Sequence, residues 1–540
     1  MQLSFDPLYQ NFSSNRFSLA SRKGMVATSN ALASSAGLCM LRNGGNAVDA
    51  AIATAACLTV VEPTANGVGG DNFAICWMKD KLYGMTSQGL SPEEISIEAV
   101  KKKHPHCKEE MPKNGWTSVT VPGVPAGWAS LNKKFGNLSL LECLGPAINY
   151  ARHGFPVALT VSYHWKKAKE KYARLLPLYP ELKHWFSCFT KEGRTPEPFE
   201  IWTLPDLALS LEQIGQSEGR IFYQGILADK IEKQSKEEGG FLRKKDLMKH
   251  EVLYPEPISI DYRGYTVYEL PPSNQGLVAL MALNILKNFE FTSQNEDYYH
   301  KTFEAIKLAF ADGLHYITDP KDMRIKVADL LSPSYGKKRA SLIGEESQIY
   351  SPACPKGKNT VYIATGDSMG NLCSFIQSNY LEFGSGVVID GTGISLQARG
   401  ADFSLKEGAV NALAKGKKTF HTNIPGMLGK NGKACLAFGV MGAYMQPQGH
   451  VQLVSNLLDF HANPQMALDA PRFQWLKGRE FAVEDEFSRV IAHALSRRGH
   501  DLKKYMDYSS FGRGQIIYRN PDGVLIGGTE SRTDGNIALF

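Results

Sequence analysis

No Cys-x-x-Cys pair occurs among the nine cysteines of this 540-residue chain. Thiolates paired at that spacing hold structural zinc, and an odd, scattered set does not suit a disulfide framework. Reduced thiols and no bound metal are therefore expected. No window of 18 apolar residues offers a helical membrane span. The start, MQLSFDPLYQNFSSNRF, lacks a basic stretch followed by an apolar run, so no secretory signal is expected and the expected location is cytoplasmic. Charge of one sign is also scarce, because 60 Lys and Arg against 54 Asp and Glu leave a net +6. Nucleic-acid binders concentrate basic residues on one face, so neither nucleic acid nor membrane is expected as a partner. What is present is 43% hydrophobic and 21% charged residues, enough apolar material for a large core.

The segment ATSNALASSAGLCMLRNGGNAVDAAIATAACLTVVEPTANGVGGDNF is small and apolar. Two helices fit it, from about Ala31 to Asn43 and from about Ala47 to Val60, with Asn30 and Asn46 as caps. The glycines of NGVGGD have no strand feeding them and no Lys-Ser/Thr after them, so a tight turn is expected and not a phosphate loop. FAICWM and KLYGMT read as paired strands, and TSVTVPGVPAGWASLNKKFG as a strand, a turn and a helix. ISIDYRGYTVYEL reads as a hairpin, GLVALMALNILKNF as a buried helix, and GHVQLVSNLLDF as a later helix. The stretch SLIGEESQIYSPACPKGKN follows neither hydrophobic period and reads as an exposed linker. Past residue 360 the chain becomes strand-rich.

The linker ends at Thr360. If TVYIATGDSMGNLCSFIQS is a hairpin with Ser368, Met369 and Gly370 as its loop, Asp367 pairs with Asn371 and Ser378 falls opposite Thr360. In most proteins two such hydroxyls only decorate a strand end. A threonine hydroxyl is a weak nucleophile that needs a base. Breaking the Asn359–Thr360 bond would supply one in the same residue, an α-amine with a pKa near ~8. The γ-methyl restricts χ1 and helps to aim the hydroxyl.

Several separated segments, among them NTVYIATGD, FGSGVVI, ADFS, GVMGAYMQPQGH and ALDAPRFQW, together resemble the γ-glutamyltranspeptidase family of N-terminal-nucleophile hydrolases. The resemblance implies an α+β fold, a four-layer αββα sandwich built jointly by a large and a small subunit. It also implies self-cleavage between Asn359 and Thr360, leaving 1–359 and 360–540 as one interlocked unit. It makes Thr360 the nucleophile and Ser378 the neighbouring hydroxyl. Asp402 becomes the acid that grips the substrate's α-amino group. Gly442 and Ala443 become the pair whose backbone N–H groups form the oxyanion hole. His421 and Thr422 match a substrate-contacting serine pair. No cofactor is implied, and the expected partner is a small-molecule amide such as glutathione. One heterodimer and a pair of heterodimers are both compatible with the sequence.

Three departures bear on specificity. The family's carboxylate-clamping arginine is matched by Gln88, an amide that cannot form a bidentate ion pair. The family's asparagine two residues after the second hydroxyl is Tyr380, and the serine pair is His421-Thr422. This pattern resembles the branch of bacterial glutathione hydrolase-like proteins and acylases. Two readings follow: a self-processing amidase, acting on γ-glutamyl or on other acyl amides, and a non-catalytic binding protein on the same fold.

Overall fold

The computed structural model describes residues 3, 16–350, 360–505 and 508–540. Asn359 and the basic segment before it, expected as the end of a linker, lie outside the described residues.

Two antiparallel sheets stack face to face between two layers of helices. The first sheet has six strands in the order Asn536–Leu539, Gly24–Thr28, Val361–Asp367, Leu372–Ser378, Asp71–Met78 and Lys81–Ser87. The second has seven: Leu19–Ser21, Leu525–Thr529, Arg513–Arg519, Lys433–Met441, Gly426–Lys430, Tyr265–Glu269 and Ile258–Tyr262. Each sheet therefore interleaves strands from before and after Thr360. Side chains alternate across a strand, and the alternation is visible here. Val361, Ile363, Cys373 and Phe375 face the helices, whereas Tyr362, Ala364, Leu372 and Ile376 face the second sheet.

The helices Ala31–Arg42 and Ala47–Val61 cover the first sheet. Asn30 caps the first by accepting from Leu32 N–H, and Asn46 with Asp49 forms a capping box on the second. All residues of Ala47–Val61 are buried, and its run of alanines lets it lie between the sheet and the helix Leu140–His153. On the far side, Gly276–Leu286, apolar on every face and buried throughout, packs with Glu296–Tyr316 and Met445–Leu458.

Two expectations need correction. The TSVTV segment forms no strand: Trp116–Ser118 is a single 3-10 turn, and the following backbone is spent on loops, with Val121 N–H donating to Leu90 O and Gly123 N–H to Gly70 O. The helix expected from Gly449 begins at Met445, because Pro447 falls in its first turn, where a missing N–H costs nothing. The glycines of NGVGGD serve close approach: a Cβ on Gly70 would lie 2.5 Å from Ser378 O, and one on Gly69 2.3 Å from Ser395 O.

Candidate active site

Thr360 and Ser378 meet where the register predicts. The hairpin pairs Gln377 with Val361 and Leu372 with Gly366, and Gly370 turns its loop at φ +85°. Continued by one residue, that register sets Ser378 beside Thr360. The Thr360 hydroxyl donates to Ser378 Oγ at 3.2 Å, and Tyr380 N–H donates to the same oxygen at 2.7 Å. Ser378 is thus a fixed acceptor that orients the Thr360 hydroxyl. On its other side Ser378 pairs with Asp71, so three polar residues share one face at one end of the sheet. Thr360 is 1% exposed.

Gly442 and Ala443 follow the strand Lys433–Met441 and lead into the helix Met445–Leu458, where unpaired N–H groups collect at the positive end of the helix dipole. Both have positive φ, +132° and +50°. Gln275 Nε2 holds Ala443 O at 2.7 Å and Thr422 O at 2.7 Å, tying this turn to the neighbouring segment. Among the described residues no protein acceptor pairs with the N–H of Gly442 or of Ala443.

The Asp402 side chain is buried and surrounded by donors. Tyr380 OH donates to its Oδ1 at 2.5 Å, Tyr444 OH to the same oxygen at 3.2 Å, and Arg399 Nη1 to Oδ2 at 3.2 Å. Burial pushes the carboxyl above the usual range, against the pull of Arg399 and the two phenols. Arg399 Nη1 also donates to Thr422 Oγ1 at 2.9 Å, and its guanidinium lies over the Tyr380 ring at 4.3 Å. Tyr380 takes part from a left-handed backbone, φ +73°, of the kind that concentrates at functional sites.

His421 and Gln88 are engaged within the protein. His421 Nδ1 accepts from Asn423 N–H at 3.1 Å, which leaves the proton on Nε2 to be donated to Asp71 Oδ2 at 3.1 Å. Burial and the nearby Arg399 and Lys418 hold this imidazole neutral, well below its ordinary pKa. Burial likewise raises the Asp71 carboxyl to about 7, although Gln397 Nε2 and Gly89 N–H also donate to it. The Asp71–His421 contact is accordingly a hydrogen bond from a neutral imidazole. Gln88 donates to Thr419 O at 2.7 Å and accepts from Ser273, beside a cavity of about 110 Å³ that also touches Val121, His250 and Lys418. His450 bridges Glu269 and the backbone of Val440 and is structural.

The structure brings together Thr360, Ser378 and Tyr380, joins Tyr380 directly to Asp402, and links Asp402 to Thr422 through Arg399. Arg399, Tyr444 and Asp71 escape the sequence reading. Only Arg399 carried a signal, its position three residues before Asp402 on the same turn. Elsewhere, ligand atoms of His300, Glu304 and His500 lie within 4.8 Å of one another. The buried Lys307 ammonium, 2.5 Å from Glu304, already fills the cation's place there.

The profile of the family described as Gamma-glutamyltranspeptidase matches residues 33–540. Among solved structures, the crystal structure of a cephalosporin acylase from Bacillus halodurans superposes with a TM-score of 0.94, at 50% identity over 99% of both chains. The glutathione hydrolase-like YwrD proenzyme of Bacillus subtilis is 37% identical over 96% of this chain and 98% of its own. The oxamate amidohydrolase proenzyme of Klebsiella pneumoniae is 31% identical over 96% of this chain and 99% of its own.

Proposed function

This chain belongs to the γ-glutamyltranspeptidase family, whose fold is the N-terminal-nucleophile hydrolase sandwich described above, and from that premise we propose that it is a self-processing amidohydrolase or acyltransferase with Thr360 as nucleophile. The observation that carries the reading is the Thr360–Ser378 contact of 3.2 Å at the open end of the hairpin. In the precursor, Thr360 Oγ attacks the carbonyl carbon of Asn359. The peptide C–N bond breaks as the acyl group moves to oxygen, the nitrogen becomes the Thr360 α-amine, and water hydrolyses the resulting ester.

In the mature enzyme the α-amine takes the proton from Oγ as the hydroxyl attacks the substrate's amide carbon. The N–H groups of Gly442 and Ala443 are the donors for the oxyanion that forms. The amide C–N bond then breaks, and the proton passes from the α-ammonium to the leaving amine. Water or an amine attacks the Thr360 ester and restores the hydroxyl. Chains 1–359 and 360–540 act together, and the substrate is a small-molecule amide.

γ-Glutamyl amides such as glutathione are the first donors to consider. A second reading, an acylase on other acyl amides, is favoured by Asp402: the acid expected to meet an α-ammonium is already paired with Arg399. N-terminal sequencing of purified protein is the test. A fragment beginning at Thr360, absent from Thr360→Ala, is the expected result. A wild-type chain that stays whole on long incubation overturns the nucleophile assignment and leaves the binding-protein reading.

A further inference from the structure

Arg399 is 0% exposed, yet only part of its guanidinium is used. Nη1 serves Asp402 and Thr422, and one face of the group rests on Tyr380. Among the described residues, Nε and Nη2 have no protein partner. These two nitrogens project their N–H groups along one edge of the planar group, at the spacing of the two oxygens of a carboxylate. Leaving charged donors unsatisfied in the interior is costly, so an unused edge of this kind points to a ligand.

The surroundings agree. Among the described residues, both amide atoms of Asn423, next to Thr422, also lack protein partners, as does Nε2 of Gln446. Gln446 lies in the first turn of the helix that follows Ala443, and its Oε1 accepts from Ile424 N–H at 3.0 Å. Unpaired polar atoms therefore occur on the segments that run from Arg399 past Thr422 to the Gly442-Ala443 turn. The other charged or titratable groups here are placed as follows. Asp402 takes three donors, His421 and Asp71 hold each other, and the lysine next along, Lys418, borders the Gln88 cavity.

We propose that Arg399 is a specificity-determining residue, receiving on its Nε/Nη2 edge a terminal carboxylate of the acyl group. The preferred donors are then monoamides of short dicarboxylic acids, bearing that carboxylate and no α-ammonium. An α-ammonium seeking Asp402 would have to sit beside the Arg399 guanidinium, a like-charge contact at close range. Residue 88 need not be an arginine in such a site, because the cation enters from the turn that carries Asp402. This inference rests on the reading of Thr360 as acyl acceptor.

Three p-nitroanilides with acyl chains of equal length separate the possibilities: glutaryl with a carboxylate only, γ-glutamyl with carboxylate and ammonium, and pentanoyl with neither. Wild-type enzyme is expected to give its highest kcat/KM on the glutaryl substrate. Arg399→Gln should lower the glutaryl-over-pentanoyl preference roughly 10- to 100-fold, the worth of a charged hydrogen-bond pair, chiefly through KM. Arg399→Lys, which keeps the charge but loses the bidentate edge, should restore part of it. A wild-type preference for the γ-glutamyl substrate overturns the inference while leaving the nucleophile intact, and so does an unchanged preference in an Arg399→Gln protein that still processes itself. A wild-type chain that neither cleaves itself nor hydrolyses any of the three fails at the earlier step and overturns both.

Discussion

At the scale of single residues, the site is built from side chains held in backbone conformations they would not choose. Ala443 sits at φ +50° where glycine would be unstrained, and Tyr380 sits at φ +73°. A left-handed residue with a Cβ costs roughly 1–2 kcal/mol. Ala443 retains the N–H that an oxyanion hole requires, so the cost falls on stability and not on the donor. Ala443→Gly is accordingly expected to raise the unfolding free energy by about 1 kcal/mol in denaturant titrations, with kcat/KM within about threefold of wild type. A loss of stability would mean that the Ala443 methyl, which is buried, contributes more through packing than its backbone angle costs.

Elements explain which residues could be read in advance. The hairpin register was legible because strand pairing has a period of two and its loop held a glycine where a left-handed residue is needed, so counting back from Asp367 reached Thr360 and Ser378. Helix starts at Asn30 and Asn46 were legible because a cap acts within a few residues of itself. Asp71 was not. Its role comes from pairing with Ser378 across a neighbouring strand and from His421, a residue far along the chain, and no local pattern encodes either. Arg399 had a local signal, one turn before Asp402, but the significance of its free edge depends on Tyr380, Thr422 and Asp402 converging. The TSVTV segment misled because β-branched residues favour extended backbone without guaranteeing a partner strand.

Asp71 also gives that strand end a pH signature. Its carboxyl is raised from the ordinary 3.8 to about 7, chiefly by burial. The folded state then holds a proton that the unfolded state releases, so stability is lost as pH rises from about 4 to about 7. Asp71→Asn removes that titration and leaves every other group common to both proteins. The melting temperature of the variant relative to wild type should therefore rise between pH 5 and pH 8 in paired thermal scans. A relative fall would show that the donors Gln397, Gly89 and His421 outweigh burial and keep Asp71 ionised.

For the whole molecule, the layout of the sheets decides what the proposed cleavage before Thr360 would do. Thr360 begins a segment whose first strand, Val361–Asp367, lies between Gly24–Thr28 and Leu372–Ser378, and Leu372–Ser378 pairs in turn with Asp71–Met78. In the second sheet, Gly426–Lys430 pairs with Tyr265–Glu269, and Leu525–Thr529 with Leu19–Ser21. The apolar layer between the sheets likewise draws Met25, Phe73 and Leu270 from one side of the cut and Tyr362, Met427 and Ile517 from the other. Hydrogen bonding and burial of this kind hold permanent assemblies together, whereas contacts between separate domains are smaller and more polar. The fragments are thus expected to co-elute in gel filtration at high salt, to melt in one transition, and to separate only in denaturant. Screening by salt would have little effect, since what joins them is apolar area and strand pairing and not surface charge. Fragments that parted under native conditions would mean that the cut relaxes both sheets, and the Thr360–Ser378 geometry would then describe the precursor alone.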